Sequence, residues 1–298
     1  RSPLNTIKNT MDTPLPPVSA RGRLARVVNF PPVLLLLGFL WVGLCIGMGA
    51  GLGNLLSSDA NRWAKPLLMG LTALVGYGAF VRLVERRQAT ELAGDGAGRE
   101  LAAGLAIGLG LFSTVIGALW LMGYYTVTGS NPVEVIGPVL AVSIMAGVTE
   151  ELLIRGLAFR ILEAWLGSWI ALALTAALFG ALHLPNPGAT LTSATAIALE
   201  AGVMLAAAFM LTRRLWLAIG IHAGWNFTQT GLFGVATSGQ AGTGLLKGEL
   251  SGPVWLSGGN FGPEASAVAV VVCVAMGLTL LGLAHRRGPF MAPFWRRT

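Results

Sequence analysis

The sequence predicts an all-α fold, a polytopic membrane helix bundle of about eight transmembrane helices. Three observations predict it. Of the 298 side chains 54% are apolar and only 11% charged, with a mean hydropathy of +0.70. Soluble domains carry about 25% charged residues, so hydrocarbon is the expected solvent. The apolar residues fall in runs of about 20, the length that crosses a bilayer core as a helix. The 41 glycines suit helices that approach closely in lipid, where small residues at contacts replace the hydrophobic drive.

Residues 1–28 are polar, with Pro14, Pro16 and Pro17 and the basic Arg21, Arg23 and Arg26, and read as a disordered cytoplasmic tail. Met11 is the expected native start, with the residues before it an addition. The apolar run that follows is too long for a signal-peptide core and lacks a small-residue cleavage site, so it reads as a retained anchor. The expected spans are 31–55, 65–84, 101–125, 133–153 with a helical extension to 162, 167–183, 189–211, 215–235 and 265–285.

Loop charge orients them. With the N-terminus inside, 17 of the 20 basic residues fall in inner segments, leaving Arg62, Lys65 and Lys247 outside. Both termini are therefore expected in the cytoplasm. The net charge of +7 belongs to these basic loops, and no nucleic-acid partner is expected. Cys45 and Cys273 lie in separate apolar spans, which argues for packing and against a disulfide framework or a cysteine zinc site.

Two loops stand out. Leu184-Pro185-Asn186-Pro187-Gly188 breaks the chain sharply between the fifth and sixth spans. The segment from Ala236 to Glu264 is long, glycine-rich and nearly uncharged, with Trp255 and Phe261 available to sit in the interface or plug a cavity. No internal repeat is evident, which weighs against an inverted-repeat transporter.

The fourth span carries Glu150, Glu151 and Arg155 in an otherwise apolar run. A charge at membrane depth costs about 2.5–3.5 kcal/mol on insertion scales, so three together need partners and suggest chemistry. Glu151 and Arg155 stand four apart, acid first, the favourable order for an ion pair on a helix. Glu150 points about 100° away and is the carboxylate free to react. A buried structural ion pair plus one interfacial Glu is the plainer alternative.

Of the three histidines, His285 sits in a basic tail, whereas His183 and His222 lie within expected spans. Four-residue steps align Phe179 with His183 and His222 with Asn226. Buried polar groups need one another, so a cavity shared by the fourth, fifth and seventh helices would satisfy all of them. Glu200, in mid-span, is expected to pair with Arg155 or line that cavity in a structural role.

The pieces Glu150-Glu151-x-x-x-Arg155, Phe179-x-x-x-His183 and His222-x-x-x-Asn226, in that order on separate spans, resemble the three motifs of the CAAX protease and bacteriocin-processing (Abi) family of intramembrane proteases. The type II CAAX prenyl endopeptidase is its eukaryotic relative. The resemblance covers roughly 137–234 and extends to Gly252-Pro253 and Gly262-Pro263-Glu264.

It implies an intramembrane endopeptidase, occupying 29–288 between the tails 1–28 and 289–298, in a bacterial cell membrane. Carried over by position, Glu150 and His183 hold and deprotonate a water, Glu150 being the base, and His222 and Asn226 donate to the oxyanion. Glu151 and Arg155 fix the helix that carries the base. The implied partners are the lipid bilayer and a membrane-embedded or lipidated peptide.

The family is described both as metalloproteases and as glutamate proteases. Glu150, His183 and His222 offer a carboxylate and two imidazoles to Zn²⁺, but no His-Glu-x-x-His pair exists, so no cofactor is expected. A non-catalytic binding or immunity protein on the same scaffold and a small proton-coupled transporter are the competing readings. One point strains the resemblance: His183 falls at the outer end of the fifth span, while Glu150 and His222 lie toward the inner half of theirs. Convergence requires that span to stop short and the loop 184–188 to dip to membrane depth, which is allowed where backbone lines water or protein.

Overall fold

The computed structural model describes residues 27–297. Most of the expected N-terminal tail and Met11 lie outside them; of the tail only Val27 and Val28 are described, and they are helical.

Eight helices occupy the eight expected spans. They are α1 (Pro31–Gly53), α2 (Ser58–Leu83), α3 (Ala97–Leu121), α4 (Val133–Leu166), α5 (Ser168–Leu182), α6 (Leu191–Thr212), α7 (residues 216–232) and α8 (Ala267–Arg287). Six of them, all but α5 and α7, are long and apolar enough to cross a membrane. Helix α5 has 15 residues, about 22 Å at 1.5 Å per residue, against a hydrocarbon core of about 30 Å. Its end follows from sequence: Pro185 and Pro187 cannot continue a helix, and the His183 and Leu184 amides instead donate three residues back, to Gly180 and Ala181.

Three helices change pitch within themselves. A π-helical stretch runs from Leu152 to Phe159 in α4, from Ala198 to Gly202 in α6 and from Phe227 to Leu232 at the end of α7. Such wide turns are rare and gather at functional sites.

Glycines set a close crossing of α3 and α7. A Cβ added at Gly104 or Gly108 of α3 would stand 2.5 or 2.3 Å from the carbonyl oxygens of Leu217 and Ile221, and one at Gly220 of α7 would stand 2.5 Å from that of Leu101. The two G-x-x-x-G runs therefore bring α3 and α7 into backbone contact, as small residues do in lipid.

Ion pairs close the end of the bundle that loop charge assigns to the inner side. Arg160 reaches Glu85 at 2.5 Å, Arg87 pairs with Glu91 at 2.7 Å, and the buried Tyr77 hydroxyl donates to Glu91. Burial pushes the Glu91 carboxyl up, but the Arg87 and Tyr77 hydrogen bonds outweigh it and hold it below the ordinary carboxylate range. Glu163 forks with Arg213 at 2.5 and 3.1 Å and accepts from Ser168 at 2.7 Å. Ser168 in turn accepts from the Met291 amide, which ties the C-terminal segment to the start of α5.

At the other end, the expected outer side, a two-stranded antiparallel sheet joins β1 (Tyr125–Ser130) to β2 (Leu246–Leu250), with Tyr125 opposite Leu250. The all-α class stands with this one addition. Between α7 and α8 the long outer segment folds over the bundle. Phe261 is buried against Ile154, Phe179 and Ile197, whereas Trp255 is exposed. The Gly239 amide donates to the Phe261 carbonyl at 2.7 Å, and Gly239 itself stands against Pro187. The outer segment thus lies over the 184–188 loop.

Candidate active site

Glu151 and Arg155 are wholly buried and joined at 2.7 Å. Arg155 also donates to the carbonyls of Ala201 at 2.9 Å and Gly202 at 3.2 Å, which the π-helical turn of α6 leaves turned toward it, and its guanidinium lies 4.7 Å from the Phe179 ring centre. A buried guanidinium with a carboxylate, two carbonyls and a ring face has the partners that hydrocarbon cannot supply. Glu150 keeps 37% of its side chain exposed and turns the other way.

His183, just past the end of α5, places Nδ1 2.7 Å from the Phe179 carbonyl oxygen. A carbonyl only accepts, so the proton is on Nδ1 and the Nε2 lone pair faces away from the helix. The Phe179 ring packs against the imidazole at 4.8 Å between centres. His222 places Nδ1 2.9 Å from Glu151 Oε1 and turns Nε2 toward Glu150, 3.8 Å from its Oε2. Glu151 thus serves two cations or donors at once, Arg155 from its own helix and His222 from α7. Gly147 makes this meeting possible: a Cβ there would lie 3.1 Å from the Ala223 nitrogen.

These groups surround a chamber of about 380 Å³, lined by Glu150, His183, His222 and Asn226 together with Ser143 of α4 and Ser238 of the outer segment. A second recess of about 260 Å³ meets it at Glu150 and His183 and is otherwise mostly apolar, with Phe39, Leu153, Ile154 and Leu182. His183 and Glu150 line both recesses together, so the end of α5 reaches the chamber in spite of its expected place at the outer end of its span.

Residues 132–228 match a family model described as Type II CAAX prenyl endopeptidase Rce1-like. The Rce1-like segment runs from just before α4 into the π-helical end of α7 and holds all seven residues named in the motifs. The family is one of intramembrane CAAX-type proteases, and the chain is an integral membrane protein with a region of that kind. Comparison with curated proteins and with solved structures finds no match.

Beside the motif residues the structure places Glu200, within the Rce1-like segment, and Glu264 and Cys273, outside it. A cavity of about 40 Å³ adjoins the chamber, sharing His183, His222, Asn226 and Ser238 with it, and is walled on its far side by Glu200, Glu264 and Cys273. Glu200 does not pair with Arg155, which binds the neighbouring carbonyls instead, and so the cavity-lining alternative is the one observed. Glu264 is buried and accepts from the Gln229 side chain and the Ser238 amide. Burial pushes its carboxyl up to about 7 against the pull of those two donors. Its run Gly262-Pro263-Glu264 was part of the resemblance read from the sequence, but no role was assigned to it there.

Among the described residues no group of three His, Cys, Asp or Glu side chains is placed to hold a metal ion. His183 and His222 each commit Nδ1 to a protein oxygen and keep Nε2 available, which is also how zinc-binding histidines are oriented.

Proposed function

We propose that the chain is an intramembrane endopeptidase that hydrolyses a peptide bond in a membrane-embedded or lipidated substrate with water activated by Glu150 and His183. The meeting of Glu150, His183, His222 and Asn226 around one chamber carries this reading. The His183 Nε2 lone pair and the Glu150 carboxylate are two acceptors, matching the two O–H groups of a water, whose own lone pair is then left for the scissile carbonyl.

Glu150 takes the proton as the C–O bond forms, and the tetrahedral oxyanion is met by the Asn226 amide and by His222 Nε2 when that atom is protonated. Glu150 then returns its proton to the departing amine. Glu151 acts through His222 and Arg155 and is a positioning residue: it orients the imidazole and locks α4 to α6. The apolar recess at Glu150 suits a hydrophobic side chain or a lipid chain beside the scissile bond. Both termini are cytoplasmic in this reading, so the outer segment covers the chamber from the far side of a bacterial cell membrane.

The test uses Glu150→Gln and His183→Ala proteins in membranes, with the membrane peptidome compared against the parent. Products present in the parent should vanish in both variants. Identical peptidomes would refute hydrolysis at this site.

A further inference from the structure

Two carboxyl groups face the 40 Å³ cavity behind the chamber, and neither is needed for the reaction just described. Glu264 comes from the outer segment and is 1% exposed; it accepts from Gln229 and from the Ser238 amide. Glu200 comes from the π-helical turn of α6 and is 2% exposed, and its Oε2 is buried without a partner among the described residues. The remaining groups at this place are His183 from α5, His222 from α7 and Cys273 from α8. Arg155 of α4 has its terminal nitrogens spent on Glu151 and two carbonyls and its Nε buried without a partner, and among the described residues neither Glu200 nor Glu264 stands in an ion pair with any cation. An ionised carboxylate without a counter-charge is among the costliest things to bury, and such groups neutralise instead.

We propose that Glu200 and Glu264 form a proton-binding acid pair behind the reaction chamber, with the proton on Glu200 and Glu264 as its hydrogen-bonded neighbour. The asymmetry of their partners decides which is which. Glu264 has two N–H donors that stabilise a carboxylate, whereas Glu200 has none and is completed by an O–H of its own. The cavity has room for about one water to join them.

The pair matters to the reaction through charge. His222 and Asn226 wall both cavities, so the oxyanion they receive develops next to Glu200. A negative charge on Glu200 would oppose it at low dielectric, and a neutral carboxyl does not. Loss of the proton from Glu200 therefore slows turnover as pH rises.

This part of the proposal rests on the proteolytic reading, so the experiment has two arms. Infrared spectra of the purified protein should show the carbonyl stretch of a buried protonated carboxyl, shifted in D₂O and absent from Glu200→Gln. Cleavage of a membrane peptide processed by the parent should fall about tenfold further on the alkaline side in the parent than in Glu200→Gln, whose remaining decline is that of His222. An absent carboxyl band would overturn the pair, as would an alkaline decline equally steep in the parent and in Glu200→Gln. Sodium-dependent thermal stabilisation, measured against choline and lost in Glu200→Gln, would also overturn it, by placing a cation where the proton is proposed. Should no peptide be cleaved at all, the proteolytic reading fails while the infrared arm still decides the pair.

Discussion

The adjacent acids Glu150 and Glu151 have opposite fates: Glu151 is wholly buried between Arg155 and His222, and Glu150 faces the chamber. The four-residue step made the first of these pairings legible, because it lies within one helix. The bond to His222 was not legible, since it joins α4 to α7 and depends on Gly147 letting them touch. Removing one partner of a buried pair is costly: Arg155→Met should lower stability by about 3–5 kcal/mol in a denaturation assay, because Glu151 keeps its burial and loses its nearest cation. The double change Glu151→Gln with Arg155→Met should recover part of that loss, and recovery of none would contradict the account. Asn226→Ala should instead lower kcat by about 10²–10³ with little effect on stability, as loss of an oxyanion donor does.

At the scale of elements, hydropathy located the helices but not their lengths or pitch. The Pro-Asn-Pro-Gly run forecast where α5 stops, and His183, just past that stop, lines the recess with Glu150. The π-helical turns carry no comparable mark, since Leu152–Phe159 reads as ordinary apolar helix. The two-stranded sheet β1–β2 was hidden for another reason: its strands are more than a hundred residues apart, and only Tyr125-Thr126-Val127-Thr128 hints at strand through its β-branched and aromatic residues. The glycine crossing of α3 and α7 yields a test. Gly220→Val would drive a side chain into the Leu101 carbonyl, so it should destabilise by about 1–3 kcal/mol and lower cleavage by displacing His222. Gly117→Val, on α3 with nothing within 4 Å of its added Cβ, should be nearly neutral in the same thermal scan.

For the whole molecule, two carboxyls outside the spans set opposite pH trends. Glu91 is held below its ordinary value in the fold, so it contributes stability that is present above the unfolded pKa and lost as pH falls through the folded one. Glu264 is raised from 4.5 to about 7, so the folded state binds the extra proton between those values and stability declines as pH rises across that window. A thermal scan against pH should show Glu91→Gln flattening the acid limb and Glu264→Gln flattening the decline toward neutrality; a Glu264→Gln curve parallel to the parent between pH 4.5 and 7 would refute its assignment. Orientation was read from loop charge alone, because basic residues stay on the side where translocation leaves them. A cysteine placed at Lys247 should react with an impermeant thiol reagent added to intact cells, and one at Arg86 should not.

The account depends on Glu150 and His183 acting on one water. A double-mutant cycle on cleavage of a single membrane peptide addresses this directly, comparing Glu150→Gln, His183→Ala and the pair with the parent. Groups that work as a unit are strongly non-additive. The predicted result is a double variant no slower than Glu150→Gln alone; effects that multiply would show that the two side chains act on different steps or different molecules of water.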